Sequence, residues 1–212
     1  MTNDVPLLLL MTTVWGYWSC VAVMVLRSRI KFRTAAGALP NTARERLMWA
    51  VWIPNWIAWL VLPPLAISAS HPLLALPEQA AGPGVLLVIR WLAAAVAMLS
   101  LLATLPCWLR MGSNWSMAVV PGKKTELVTQ GMFALVRHPI YALNMLLMIA
   151  SVIVTATPAM LLVGIMHVIL MNIKAGNEER YLLELHGQQY ADYCRRTGRF
   201  MPWRLAGRGA VA

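Results

Sequence analysis

The chain has 212 residues, 59% of them hydrophobic, with only 18 Lys and Arg and 8 Asp and Glu. At a mean hydropathy of +0.63, those charges are too few to coat a water-soluble globule of this size, so lipid is the solvent for most of the surface. The net charge of +10 does not imply nucleic acid as a partner: the basic residues sit in short loops beside apolar runs, and anionic lipid headgroups are the matching counter-charge.

In chain order, three stretches are long and apolar enough to be membrane-crossing helices of about 20 residues: 5–26, 47–69 and 85–108. The segment before the first has no basic run or small-residue cleavage site, so the sequence predicts a retained helix there and not a removed leader. Pro63 and Pro64 fall inside the second stretch, where missing amide donors are expected to kink or break the helix. A fourth apolar run begins at Pro139 and reaches Ile173, interrupted at 155–158 by Thr-Ala-Thr-Pro. It reads as a tight hairpin with arms 139–155 and 158–173, each at the short end of the spanning range.

The expected fold is therefore all-α, a polytopic integral membrane protein with about five transmembrane helices. Its first part, 1–110, holds three helices and a basic loop at 27–46; its second, 111–212, holds a polar loop, the hairpin and a C-terminal segment. Every Lys and Arg except Arg90 lies before the second span, between the third and fourth, or after the fifth. Basic residues are retained on the cytoplasmic side, so the N-terminus is expected outside and the C-terminus in the cytoplasm, in the inner membrane if the chain is bacterial. Arg90 is expected to snorkel to the outer surface, and His167 to hydrogen-bond inside the bundle. No internal repeat is evident, which argues against inverted-repeat transporters. The 3 cysteines, Cys20, Cys107 and Cys194, lack ligand spacing and predict free thiols and no metal.

Chemistry-bearing residues gather in two places, entering the fourth helix and leaving the fifth, and a hairpin brings them side by side. Arg137 and His138 then lie near Lys174, Glu178 and Glu179, and Pro139 opens a helix whose free first-turn amides suit an anion or polar ligand atoms. Carboxylates for an ammonium, amides and Arg137 for a carboxylate or base edge, and Phe133 or Tyr141 for a flat ring suit a ligand such as S-adenosylmethionine. Taken singly, each feature has an ordinary membrane reading: an interfacial snorkelling pair, a solvated helix start, aromatic anchors.

The segment LVTQGMFALVRHPIY, followed after a hydrophobic hairpin by NEERYLLELHGQQYADYCRRTGRFMP, resembles the C-terminal signature of the isoprenylcysteine carboxyl methyltransferase family, with phospholipid N-methyltransferases as more distant kin. The upstream Gly112, Ser113, Asn114, Trp115 and Ser116 also resemble it. The resemblance implies that S-adenosylmethionine is held by Thr125, Glu126, Leu127 and Val128, by Phe133, by the block His138, Pro139, Ile140 and Tyr141, and by Glu178; Arg137 and Glu179, beside these, complete the expected cofactor site. Phe133 replaces the family's usual Tyr and keeps the ring, Leu143 replaces a frequent Gly, and Lys174 replaces an active-site Arg, keeping charge but losing the bidentate fork.

Methyl transfer from a sulfonium needs alignment, exclusion of water and charge stabilisation, with no nucleophilic side chain. Lys174 is the expected catalytic residue, positioning the acceptor. The expected acceptor is lipophilic or membrane-delivered, a prenylcysteine-like carboxylate being the type case; a phospholipid amine or small thiol, or a non-catalytic scaffold or accessory subunit, are the alternatives. The sequence carries no signal for oligomeric state.

Overall fold

The computed structural model describes residues 4–31, 43–118, 120, 122 and 125–202. Most of the basic loop at 27–46, including Arg33, lies outside the described residues, as do Lys123 and Lys124 of the polar loop. The elements in order are α1 (Val5–Ile30), α2 (Ala43–Ser68), the short α3 (Glu78–Ala81), α4 (Val85–Met111), 3-10 turns at Gly112–Asn114 and Gly131–Ala134, α5 (Pro139–Thr155), α6 (Pro158–His186) and α7 (Gln188–Arg196). Among the described residues the only β pairing is one isolated parallel bridge, Val136 with Gly198.

The protein is an all-helical, multi-pass membrane protein. Four helices are long and apolar enough to cross: Val5–Ile30, Glu45–Ser68, Val85–Asn114 and Pro158–His186. α5 is shorter, at 17 residues; that is about 25 Å of helix against a hydrocarbon core of about 30 Å. Leu8, Val23, Leu92, Leu99, Leu162 and Ile165 are among the apolar side chains left exposed on the helix flanks, the surface that hydropathy assigns to lipid.

Three expectations change. α6 does not stop at Ile173 but continues to His186. Leaving the apolar zone removes no backbone hydrogen bond, and the sequence offers no proline until well past Gly187, whose left-handed φ of 52° ends the helix. α2 runs through Pro54, Pro63 and Pro64 to Ser68 as one helix, so of the kink or break expected at Pro63 and Pro64 the break does not occur; lost donors are tolerated where neighbouring helices secure the segment. Arg90 does not snorkel. It is 2% exposed, with Nη2 on Asp4 Oδ2 at 2.7 Å, Nε on the Val154 carbonyl at 2.8 Å and Nη1 on the Ala80 carbonyl at 2.9 Å. An inward-turned guanidinium is stable only when its donors are met, and Val154 offers one of the carbonyls that the end of α5 leaves free. Asp4 also caps α1 by accepting from the Leu7 amide at 3.0 Å.

The core forms where α1, α4, α5 and α6 meet, around Leu10, Val14, Ala94, Ala97, Leu147, Met148, Val154 and Met160. Ala93, Ala94 and Ala97 on α4 are all buried, and small side chains allow close backbone approach in helix packing within lipid. α5 and α6 are pressed together at Gly164, where an added Cβ would lie 2.6 Å from Val152 Cγ2. The hairpin turns at Ala156, in the left-handed region at φ 52°, and Thr157 caps α6 by accepting from the Met160 amide at 3.2 Å. His167 bonds inside the bundle as expected, Nε2 to Asn144 Oδ1 at 2.6 Å, and Trp59 donates to Ser151 Oγ at 2.9 Å beside it.

Candidate active site

α5 starts and α6 leaves the apolar zone at the same end of the bundle, so residues distant in sequence share one wall. Tyr141, in the first turn of α5, donates its hydroxyl to Glu178 of α6. Its ring stacks on His138, with centroids 5.4 Å apart and planes within 4°, and Lys174 Nζ lies 5.1 Å from its centroid on a cation-π contact. Glu178 also faces His138 Nδ1 at 3.7 Å. Lys174 and Glu178 are four residues apart, hence on one face of α6.

These side chains line a cavity of about 190 Å³. Its walls include Thr125, Glu126, Leu127, Val128, Phe133, Arg137, His138, Pro139, Ile140, Tyr141, Lys174 and Glu178, twelve of the thirteen residues expected at the site. The loop carrying the first four is pinned by the Glu126 amide donating to Asn114 Oδ1 at 3.2 Å. Tyr181 of α6 donates to the Val120 carbonyl at 3.3 Å and ties the same loop to the helix.

Glu179 is the one expected residue not in the cavity wall. Its Oε1 accepts from Arg137 Nε at 3.0 Å and from Arg199 Nε at 3.1 Å and lies 3.3 Å from His138 Nε2, while Oε2 pairs with Arg199 Nη2. Arg137, although it borders the cavity, is committed elsewhere: Nη1 donates to the Cys194 carbonyl at 3.2 Å and to the Thr197 carbonyl. The result is a strap. Residues 197–200 lie along 136–138, with the Arg137 amide on the Gly198 carbonyl at 2.8 Å and the His138 amide on the Arg199 carbonyl at 3.0 Å. Hydrogen bonding to Glu179 raises the Arg199 guanidinium above its ordinary range and keeps it charged.

α7 completes this side, with Tyr190 and Tyr193 both buried and both in the wall. The Tyr193 hydroxyl donates to the Phe133 carbonyl at 2.6 Å, fixing the turn that presents the Phe133 ring. Burial pushes the Tyr193 phenol up to about 12, and pushes the Cys194 thiol up as well, so both stay protonated and neither acts as a nucleophile or base near neutrality.

The rest of the wall comes from helices without a recognisable motif: Tyr17 and Trp18 of α1, Trp52 of α2, Trp108 and Met111 of α4, with Trp115, Asn144 and Met171. One available signal was position. Tyr17, Trp18 and Trp108 lie on apolar helices, and Tyr17 and Trp18 sit near the middle of theirs, away from the helix ends where interfacial aromatics concentrate. The cavity thus has a polar half, built from the 125–128 loop and the hairpin ends, and an aromatic half built from α1, α2 and α4. Among the described residues no cluster of His, Cys, Asp or Glu suits a metal ion.

Comparison with known proteins finds similarity in sequence and in fold. Residues 89–184 match the model of the isoprenylcysteine carboxyl methyltransferase (ICMT) family. The fold is similar to the eukaryotic intramembrane Ras methyltransferase ICMT, with a TM-score of 0.54 and 21% identity, covering 92% of this chain and 68% of that one. The nickel-cobalt-cadmium resistance protein NccN of Alcaligenes xylosoxydans xylosoxydans is 28% identical over 113 residues, 53% of this chain and 52% of that protein, so the chain spans about half the length of that relative. The family match takes in most of α4, the 125–128 loop, the hairpin and the Glu178 pair, and over that stretch the chain is similar to the isoprenylcysteine carboxyl methyltransferase family.

Proposed function

We propose that the protein transfers a methyl group from S-adenosylmethionine to a lipophilic or membrane-delivered acceptor, at a site facing the cytoplasm with the N-terminus outside. The observation that carries this reading is the cavity itself, which joins the 125–128 loop, the His138–Tyr141 block, Lys174 and Glu178 in one wall.

The chemistry of the donor set fits the cofactor. Glu178 has a carboxylate for an ammonium, Ile140 and Tyr141 begin a helix whose first-turn amides suit a carboxylate, and Phe133 and Tyr141 offer ring faces for a base. Bound S-adenosylmethionine supplies an electrophilic methyl group. Tyr141 and His138 hold Glu178 in place; Glu179 holds Arg137 and the strap, and through them the entry of α5, a positioning role in place of direct contact. The aromatic half excludes water and receives the acceptor's apolar part. Lys174, on the cavity wall, orients an anionic acceptor by charge and disfavours a cationic amine, which supports a carboxylate or thiolate over a phospholipid amine.

Calorimetric titration of detergent-purified protein with S-adenosylhomocysteine tests the reading. Saturable binding is expected, lost in His138→Ala and Glu178→Ala variants that remain folded; no binding up to about a millimolar, a free energy weaker than about −4 kcal/mol, rejects it in favour of a non-catalytic membrane scaffold. Transfer of labelled methyl to an S-prenylated cysteine, a phosphatidylethanolamine and a small thiol then separates acceptors. Lys174→Met is expected to retain S-adenosylhomocysteine affinity within about threefold while losing transfer to the carboxylate by at least about tenfold, the scale of one charge-assisted hydrogen bond.

A further inference from the structure

α7 places two tyrosines three residues apart on its inner face, and their hydroxyls have different fates. Tyr193 spends its hydroxyl on the Phe133 carbonyl at 2.6 Å. Tyr190, 2% exposed, has a buried hydroxyl with no hydrogen-bond partner by geometry among the described residues, only the weakly accepting Cys194 sulfur beside it. A buried hydroxyl left unmatched is costly, and groups of this kind are retained where a ligand completes them. Tyr190 borders the cavity. Trp18 has an unmatched indole N–H on the same cavity, but its side chain is only partly buried.

We infer that the Tyr190 hydroxyl is a cofactor contact, hydrogen-bonded to the nucleoside half of the adenosyl ligand. The inference rests on the methyltransferase reading and adds to it a residue from α7. The choice of half follows from chemistry: an ammonium and a carboxylate call for Glu178 and the α5 amides, whereas a neutral phenol that neighbours the Phe133 turn through Tyr193 matches a base edge or a ribose hydroxyl.

The test is calorimetric titration of the full chain with S-adenosylhomocysteine and separately with 5′-methylthioadenosine, which lacks the amino-acid portion, in the parent, Tyr190→Phe and Tyr193→Phe. Tyr190→Phe is expected to weaken both ligands by about three- to tenfold, the worth of one hydrogen bond, and to leave the ligand-free melting temperature unchanged or higher. Tyr193→Phe is expected to lower the ligand-free melting temperature, because its bond is internal to the protein. Equal affinities for parent and Tyr190→Phe overturn the inference, as does a fall in the variant's ligand-free melting temperature, which would reveal a protein partner. Weakening of S-adenosylhomocysteine alone overturns the assignment to the nucleoside half. A parent that binds neither ligand rejects the cofactor reading itself, and the inference with it.

Discussion

Two polar clusters, at opposite ends of α5, use the same kinds of group to different ends. At its C-terminal end Arg90 is closed off: carboxylate, helix carbonyl and short-helix carbonyl occupy its donors, and the guanidinium is 2% exposed. At its N-terminal end Glu178 and Lys174 border a cavity, and among the described residues the Tyr190 hydroxyl has no hydrogen-bond partner by geometry, only the weakly accepting Cys194 sulfur beside it. Burial alone therefore does not separate a charge closed off by the protein from one left facing a cavity. The separation lies in whether the protein itself exhausts the hydrogen-bonding capacity of the group.

Substitution at the closed end costs the most stability. Arg90→Ala leaves Asp4 without its charge partner and frees two carbonyls, and truncating one member of a buried pair costs about 3–5 kcal/mol. A large fall in the melting temperature of the detergent-solubilised protein is expected, with S-adenosylhomocysteine affinity of the folded fraction unchanged at low temperature. A variant that melts like the parent would show that Arg90 finds water or lipid headgroups and is not closed.

At the open end the effects reverse. Glu178→Gln keeps the shape and a hydrogen-bond acceptor for Tyr141 but removes the charge offered to an ammonium. It is expected to weaken S-adenosylhomocysteine by about ten- to a hundredfold, the range of a charge-assisted bond worth about 1.5–3 kcal/mol, with little change in the ligand-free melting temperature. Calorimetry beside a thermal melt checks both halves. Glu179→Gln is expected to do the opposite, because its carboxylate holds Arg137 and Arg199: a lower melting temperature and looser strap, with ligand affinity changed less than in Glu178→Gln.

The different roles of these neighbours show where sequence reading stops. Glu178 and Glu179 are recognisable as a pair, yet successive residues on a helix point about 100° apart. One faces the cavity and the other the strap; spacing alone leaves the two open, and only the resemblance singled out Glu178. The apolar runs of α1, α2 and α4 were legible because hydropathy is a property of each segment alone. The end of α6 was not, since loss of hydropathy ends a span but not a helix. Arg90 was read as a snorkelling residue because its partners, Asp4, Ala80 and Val154, are assembled by the fold and carry no sequence pattern. The motif half of the cavity was legible through resemblance; its aromatic half, from Tyr17, Trp18, Trp52 and Trp108 on three helices, is a tertiary arrangement.

A smaller effect is expected between the two clusters, where α5 and α6 touch. Gly164→Ala places a Cβ 2.6 Å from Val152 Cγ2, and overpacking of this kind costs about 1–3 kcal/mol. Because His167, three residues further along α6, bonds Asn144 of the cavity wall at 2.6 Å, spreading the hairpin is expected to affect the open end as well as stability. Adding Val152→Ala should restore most of the melting temperature. Failure of that rescue would mean that the clash is relieved elsewhere and that the hairpin spacing does not depend on this contact.

The smallest effect separates the two tyrosines of α7 by pH. Burial moves the Tyr193 phenol from 10.0 to about 12, so between those values the folded protein holds a proton that the unfolded chain has released. Stability then falls as pH rises through that window and is level below it. Tyr190 is pushed up by burial too and contributes the same slope to the parent and to a Tyr193→Phe variant. The variant is expected to melt lower than the parent near neutrality, having lost the bond to the Phe133 carbonyl, and to decline less steeply above pH 10, so the two melting curves converge toward pH 12. Parallel curves would place the Tyr193 proton in ordinary solvent contact, and with it would go the assignment of Tyr193 to the closed class and the contrast with Tyr190.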